Sequence, residues 1–147
     1  MAKFDFSVTV PSKKSKMLEK ATCFSEYPKY FQYINHINII HENQNEICTE
    51  EKISFSFKSL SHEITQKTIT KKIDGDKFES SIISGPLKGT TSQLFYNEVN
   101  NSTKINIKVD LKVGLKYKFL SPIIKKRLKM AITAVLFKMH SSILESS

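Results

Sequence analysis

The feature that most constrains this chain is the strict alternation of residues 103–115, where Ile105, Ile107, Val109, Leu111, Val113 and Leu115 point one way and Asn106, Lys108, Asp110 and Lys112 the other. A period of two over this length is a strand with one apolar and one wetted face, and its apolar face must be laid on a core. The same reading recurs upstream. Strand-like segments at 36–42, 46–58, 62–73, 76–84 and 89–99 are divided by ENQN, KSLS, DGD, GPLKG and NNST, all of it turn chemistry. Connections this short join neighbours in an antiparallel meander.

Helical signals flank the meander. Phe4, Phe6, Val8 and Val10 form a first alternating strand, after which Ser12 is a candidate N-cap for a helix over 12–22. A second short helix covers Ser25–Phe31 and gathers Tyr27, Tyr30 and Phe31 on one side. Ser121 and Pro122 offer an N-cap and a first-turn proline for a terminal helix over 121–145. Its apolar positions 124, 128, 131, 135 and 139 make one stripe, with 132, 136 and 143 beside it.

At 147 residues the chain is one domain's worth of sequence, large enough to bury a core without disulfides. Its two cysteines, Cys23 and Cys48, lack CxxC spacing and read as reduced thiols in a cytoplasmic protein. The N-terminus has no apolar run of the signal-peptide kind, and no window reaches the length of a membrane span.

The order strand, two short helices, six strands and a long helix resembles the helix-grip fold of the START and Bet v 1-like superfamily. Within it, FDFSVTVP, FSEYPKYFQYI, the SGPLKGT turn into LFYNEV, and the helix after KYKFLSPII are similar to the polyketide cyclase/dehydrase and lipid-transport family, nearest its coenzyme Q-binding, Coq10-like branch. Many of those relatives carry a tryptophan where this chain has Gln93, Leu94 and Phe95. The expected fold is α+β: a curved seven-stranded antiparallel sheet wrapped around the terminal helix, as a single domain over 1–147.

That resemblance implies an internal cavity for a hydrophobic ligand such as a lipid or isoprenoid quinone. The side chains placed to face it are Phe31, Phe55, Phe57, Ile82, Leu94, Tyr96, Val109, Leu111, Leu128, Ala131, Ile132 and Val135, most of which would equally fill a solid core. Alternation in 62–73 sends either Gln66, Thr68 and Thr70 or Thr65, Lys67 and Lys71 inward. Isolated polar groups on an apolar wall are what a pocket uses to orient a ligand, and Gln66 and Thr68 are the candidates.

Charge adds a second expectation. The formal net charge is +9, and six of the 23 cations fall in residues 116–129, which contain no acid. Successive turns of a meander alternate between the ends of the sheet. One end thus collects Glu42, Glu46, Asp74, Asp76 and Glu98, and the other Lys58, Lys88, Lys116 and Lys118 with Leu60, Leu87, Tyr117, Phe119 and Leu120. With Lys125 and Lys126, the second set is a candidate surface for docking on an anionic membrane. Nucleic acid is disfavoured as a partner because Arg127 is the only arginine.

No catalytic constellation stands out. The histidines His36, His41, His62 and His140 lack metal-ligand spacing, with His36 and His41 expected on opposite strand faces, and neither a GxSxG elbow nor a phosphate-binding glycine loop is present. Neither cofactor nor metal is implied. The resulting expectation is a non-catalytic carrier; the alternative is a cyclase or aromatase using Tyr96, Gln66 and Thr68.

Overall fold

The computed structural model describes residues 2–57 and 60–146. Strands β1 (Ala2–Val10), β2 (Ile34–Glu42), β3 (Glu46–Phe57), β4 (Leu60–Ile73), β5 (Lys77–Ser84), β6 (Thr91–Val99) and β7 (Ser102–Leu111) form one antiparallel sheet in the order β1-β7-β6-β5-β4-β3-β2. Helix α1 (Lys14–Ala21), a 3₁₀ turn (Phe24–Glu26) and α2 (Tyr27–Tyr30) connect the two edge strands. Helix α3 (Ser121–Ser146) closes the chain, and its 26 residues are about 39 Å long at 1.5 Å per residue. This is the helix-grip fold.

Local chemistry accounts for the turns. Val99 pairs with Ser102, so Asn100 and Asn101 alone make the β6–β7 turn; both have positive φ, as a type I′ hairpin requires and asparagine tolerates. In GPLKG the glycine is needed for space as well as for its φ of +98°. A Cβ on Gly85 would stand 3.0 Å from the carbonyl oxygen of Thr65 on β4. Register irregularities in β2 around Ile34/His36 and Ile39/His41, and between β4 and β5 at Lys67/Thr68, add bend to the sheet.

Several expectations about local structure are corrected. The last strand ends at Leu111, because neither β1 nor β6 offers a backbone partner beyond it, and residues 115–120 wind into a 3₁₀ helix that turns Leu115 out to 89% exposure. Ser12 caps nothing: α1 begins after Lys13, while the Ser12 hydroxyl bonds to Nδ1 of His140 and its carbonyl accepts from Thr103. Ser121 is the first residue of α3, and its hydroxyl donates back to the carbonyl of Lys118. The irregularity near Ile39 brings His36 and His41, opposite Lys52 and Cys48, onto one strand face. Even so, no metal-ligating cluster occurs among the described residues.

The sheet packs unevenly. On β7, Ile105 and Ile107 are fully buried and Val109 and Leu111 nearly so; with Val8 and Val10 of β1 they meet Met17 of α1 and Val135, Leu136 and Met139 of α3 in a filled core. Toward β3, β4 and β5 the inward face mixes Ile53, Ile64 and Ile82 with the shorter Thr49, Thr68, Thr70 and Ser80. There the sheet and α3 do not close on each other.

Candidate functional site: a cavity between sheet and helix

The gap is a partly open cavity of about 400 Å³. Its helix wall is aliphatic, with Ile124, Leu128, Ala131, Ile132, Val135 and Leu136 on the stripe that 3.6-residue periodicity predicts. Its sheet wall is mixed: Thr49 and Glu51 from β3, Gln66, Thr68 and Thr70 from β4, Ser80 and Ile82 from β5, and Leu94 and Tyr96 from β6. Thr49, Thr68, Thr70 and Ser80 on the sheet and Ala131 on the helix are too small to reach across, and the space persists between them.

The aromatic segment before β2 closes one side. Phe24 stacks on Tyr27 with centroids 4.9 Å apart, and Tyr27 lies 5.9 Å from Phe31; all three line the cavity. The Tyr27 hydroxyl donates to the carbonyl of Ala21 at 2.6 Å, tying α2 to the end of α1. Burial raises its pKa and that of Tyr96, so both phenols keep their protons at neutral pH. Tyr96 also packs edge-on against Phe78 at 5.8 Å.

The register of β3 and β4 builds the polar patch. Glu51 lies directly opposite Gln66, and Thr49 opposite Thr68. The Thr68 hydroxyl donates to Oε1 of Glu51 at 2.7 Å, and the Thr49 hydroxyl reaches the carbonyl of Thr68 at 3.5 Å. Desolvation raises the pKa of the Glu51 carboxyl, opposed by its hydrogen bond from Thr68 and by the neighbouring polar side chains of Gln66 and Thr49. Burial thus holds the Glu51 carboxyl above its ordinary range on the cavity wall.

Of the side chains expected to face a ligand, Phe31, Gln66, Thr68, Ile82, Leu94, Tyr96, Leu128, Ala131, Ile132 and Val135 line this cavity. Gln66, Thr68 and Thr70 are the inward set of β4, and Thr65, Lys67 and Lys71 point outward to solvent. Val109 and Leu111 do not line it, because they are spent in the filled core under the helices. The side chains of Phe55 and Phe57 lie outside the described residues. Glu51 was missed, although its signal was available: it shares strand parity with Phe55 and Phe57, so a period of two carried back along β3 sends it inward.

The basic end is also rearranged. Lys58 and the side chain of Leu60 lie outside the described residues. Leu120 is buried, Leu87 and Tyr117 are half-buried, and all three face the cavity, so they do not project as surface anchors. The large apolar side chains that do project are Leu115 and Phe119, the latter 75% exposed, flanked by Lys116 and Lys118. Lys88 and Lys126 are exposed too, while Lys125 lies over the ring of Phe4, 5.5 Å from its centroid. No ion pair among the described residues engages Lys88, Lys116, Lys118 or Lys126. A second recess, lined by residues of α3, β3 and β4, shares Tyr33, Ile123 and Arg127 with the cavity.

No protein-family model matches the chain, and no curated protein matches it in sequence. Solved structures do match, over nearly the whole length. The Zhui aromatase/cyclase from Streptomyces sp. R1128 is similar with a TM-score of 0.80 and 12% identity, covering 97% of this chain and 95% of that one. Ara h 8.0201 is similar with a TM-score of 0.72 and 13% identity over 98% of both chains. A START superfamily protein from Mycobacterium smegmatis follows with a TM-score of 0.69 and 12% identity, over 93% of this chain and 98% of that one. At 12–13% identity these likenesses show a shared fold, the helix grip, over nearly the whole chain.

Proposed function

We propose that the chain is a carrier that binds a hydrophobic small molecule, a lipid or isoprenoid quinone, in the cavity under α3 and exchanges it at an anionic membrane surface. The observation that carries this reading is the cavity itself, about 400 Å³ with an aliphatic helix wall, in a fold whose other half is tightly filled. An apolar pocket with a few convergent polar groups is the general form of a small-molecule site. The recess beside Tyr33, Ile123 and Arg127 uses the first turns of α3, which follow directly on the segment that projects Leu115 and Phe119, so docking and exchange would use one end of the molecule. No helix among the described residues is long and apolar enough to cross a membrane, which suits attachment from the surface. Free Cys23 and Cys48 suit the reducing cytoplasm.

Native mass spectrometry of the purified protein tests the reading, with titration of the neutral fluorophore N-phenyl-1-naphthylamine beside it. A co-purifying apolar ligand or saturable, cavity-dependent probe binding is expected. Protein that is free of ligand and does not bind the probe would refute the carrier.

A second reading, a cyclase-like enzyme, is favoured by one observation. Glu51 is a buried acid on the cavity wall whose pKa burial raises, the direction in which a general acid is tuned. It replaces Tyr96 as the group to test: turnover of a poly-β-ketone abolished by Glu51→Gln would support the enzyme, and affinity changes without turnover would support the carrier.

A further inference from the structure

The β3–β4 patch contains an imbalance that packing does not explain. Oε1 of Glu51 is satisfied by Thr68, but Oε2 of Glu51 and Oε1 of Gln66 are buried with no hydrogen-bond partner. Both residues are only 7% exposed, and they sit directly opposite each other on the cavity face of adjacent strands. Of the α3 residues that line the cavity, Leu128, Ala131 and Ile132 have no side-chain donor, and Arg127, shared with the adjoining recess, donates to neither oxygen. Orphaned buried acceptors cost roughly 1–3 kcal/mol each, so folded proteins keep few without a use.

We infer that Glu51 and Gln66 form a recognition site for a hydroxyl group, so that the cavity's ligand is a hydrophobic alcohol or phenol whose oxygen sits between these two side chains. The inference rests on the cavity being a ligand site, as proposed above. A hydroxyl is the smallest group that matches both oxygens. With Glu51 protonated, its O–H on Oε2 donates to the ligand oxygen, and the ligand O–H donates to Oε1 of Gln66. With Glu51 ionised, the single ligand O–H donates to the carboxylate and leaves Gln66 Oε1 unpaired, so the full match belongs to the protonated acid. A ketone or ether oxygen, a quinone carbonyl included, can only accept, so it leaves Gln66 unpaired, and a methyl group leaves both unpaired; of the ligands proposed above, the site selects a lipid alcohol or a reduced quinol over the quinone. A carboxylate head would meet Glu51 as a like charge.

Matched ligands test this. Isothermal titration would compare 2-naphthol with 2-methylnaphthalene, which differ by hydroxyl against methyl, on the wild-type chain and on Glu51→Leu, Glu51→Gln and Gln66→Leu. The wild type is expected to prefer the naphthol by roughly tenfold or more, the scale of one satisfied buried hydrogen bond. Glu51→Leu and Gln66→Leu should reduce that ratio toward one, and Glu51→Gln, which keeps a donor and an acceptor in place, should preserve most of it. Equal affinities in the wild type, or a preference untouched by both leucine variants, would overturn the inference and assign these oxygens to water. In that event N-phenyl-1-naphthylamine binding would still uphold the carrier; if neither naphthalene nor the fluorophore binds, both readings fall.

Discussion

Ile107→Ala and Ile82→Ala make the same chemical change in two strands of the same sheet, and the structure assigns them different costs. Ile107, fully buried on β7 opposite Phe6 and Leu94, sits in the filled half. Its truncation removes three carbons worth about 0.8 kcal/mol each in transfer and leaves a void that close packing cannot collapse, for a total of about 3–5 kcal/mol. Ile82 on β5 is half-buried and faces the existing cavity. Truncation there widens a space already present and forfeits only part of the transfer term, about 1 kcal/mol. Urea denaturation should resolve a gap of about 2 kcal/mol or more, equivalent to about 6 °C in midpoint temperature for a chain of this size. Probe titration should show the opposite ranking, with N-phenyl-1-naphthylamine affinity altered by Ile82→Ala and unchanged by Ile107→Ala in folded protein. Equal destabilisation, or a larger cost at Ile82, would mean that the cavity is closed by repacking in solution and would refute the division into filled and hollow halves.

The raised pKa of Glu51 means that the folded chain holds this proton more tightly than the unfolded one, whose carboxyl has the ordinary value of 4.5. Its contribution to stability is thus fully present below pH 4.5 and is lost as pH rises through the folded-state pKa; denaturant midpoints should fall across that window and Glu51→Gln should flatten the trend, whereas an unchanged slope would contradict the burial. Changing Lys88, Lys116 and Lys118 together to Glu should abolish co-sedimentation with phosphatidylserine vesicles, since each lysine near such a surface contributes about 1 kcal/mol; retained binding would remove the docking role. Gly85→Ala should cost about 1–3 kcal/mol, because a side chain is strained at this φ and its Cβ meets the Thr65 carbonyl; a neutral effect in thermal melts would count against this turn geometry.

What the sequence determined by itself is the part of the molecule written in short-range periodicity. The alternation of β7, the turn residues between β2 and β7, and the apolar stripe of α3 each follow from local steric and burial preferences, and together they specify a meander gripping one long helix. Periodicity identifies the inward face only where one face is apolar. On β4 both faces are polar, so the choice between Gln66, Thr68 and Thr70 and their neighbours was made by pairing with β3, which brought Glu51 to the same wall. Tertiary packing also decided that Val109 and Leu111 are core while Ile82 and Leu94 face open space, because this depends on what stands opposite each strand. At the basic end, the loss of strand partners after Leu111 let the chain coil, which turned Tyr117 and Leu120 inward and Leu115 outward. The cavity and its buried acid are properties of residues far apart in sequence, and only the assembled sheet and helix bring them together.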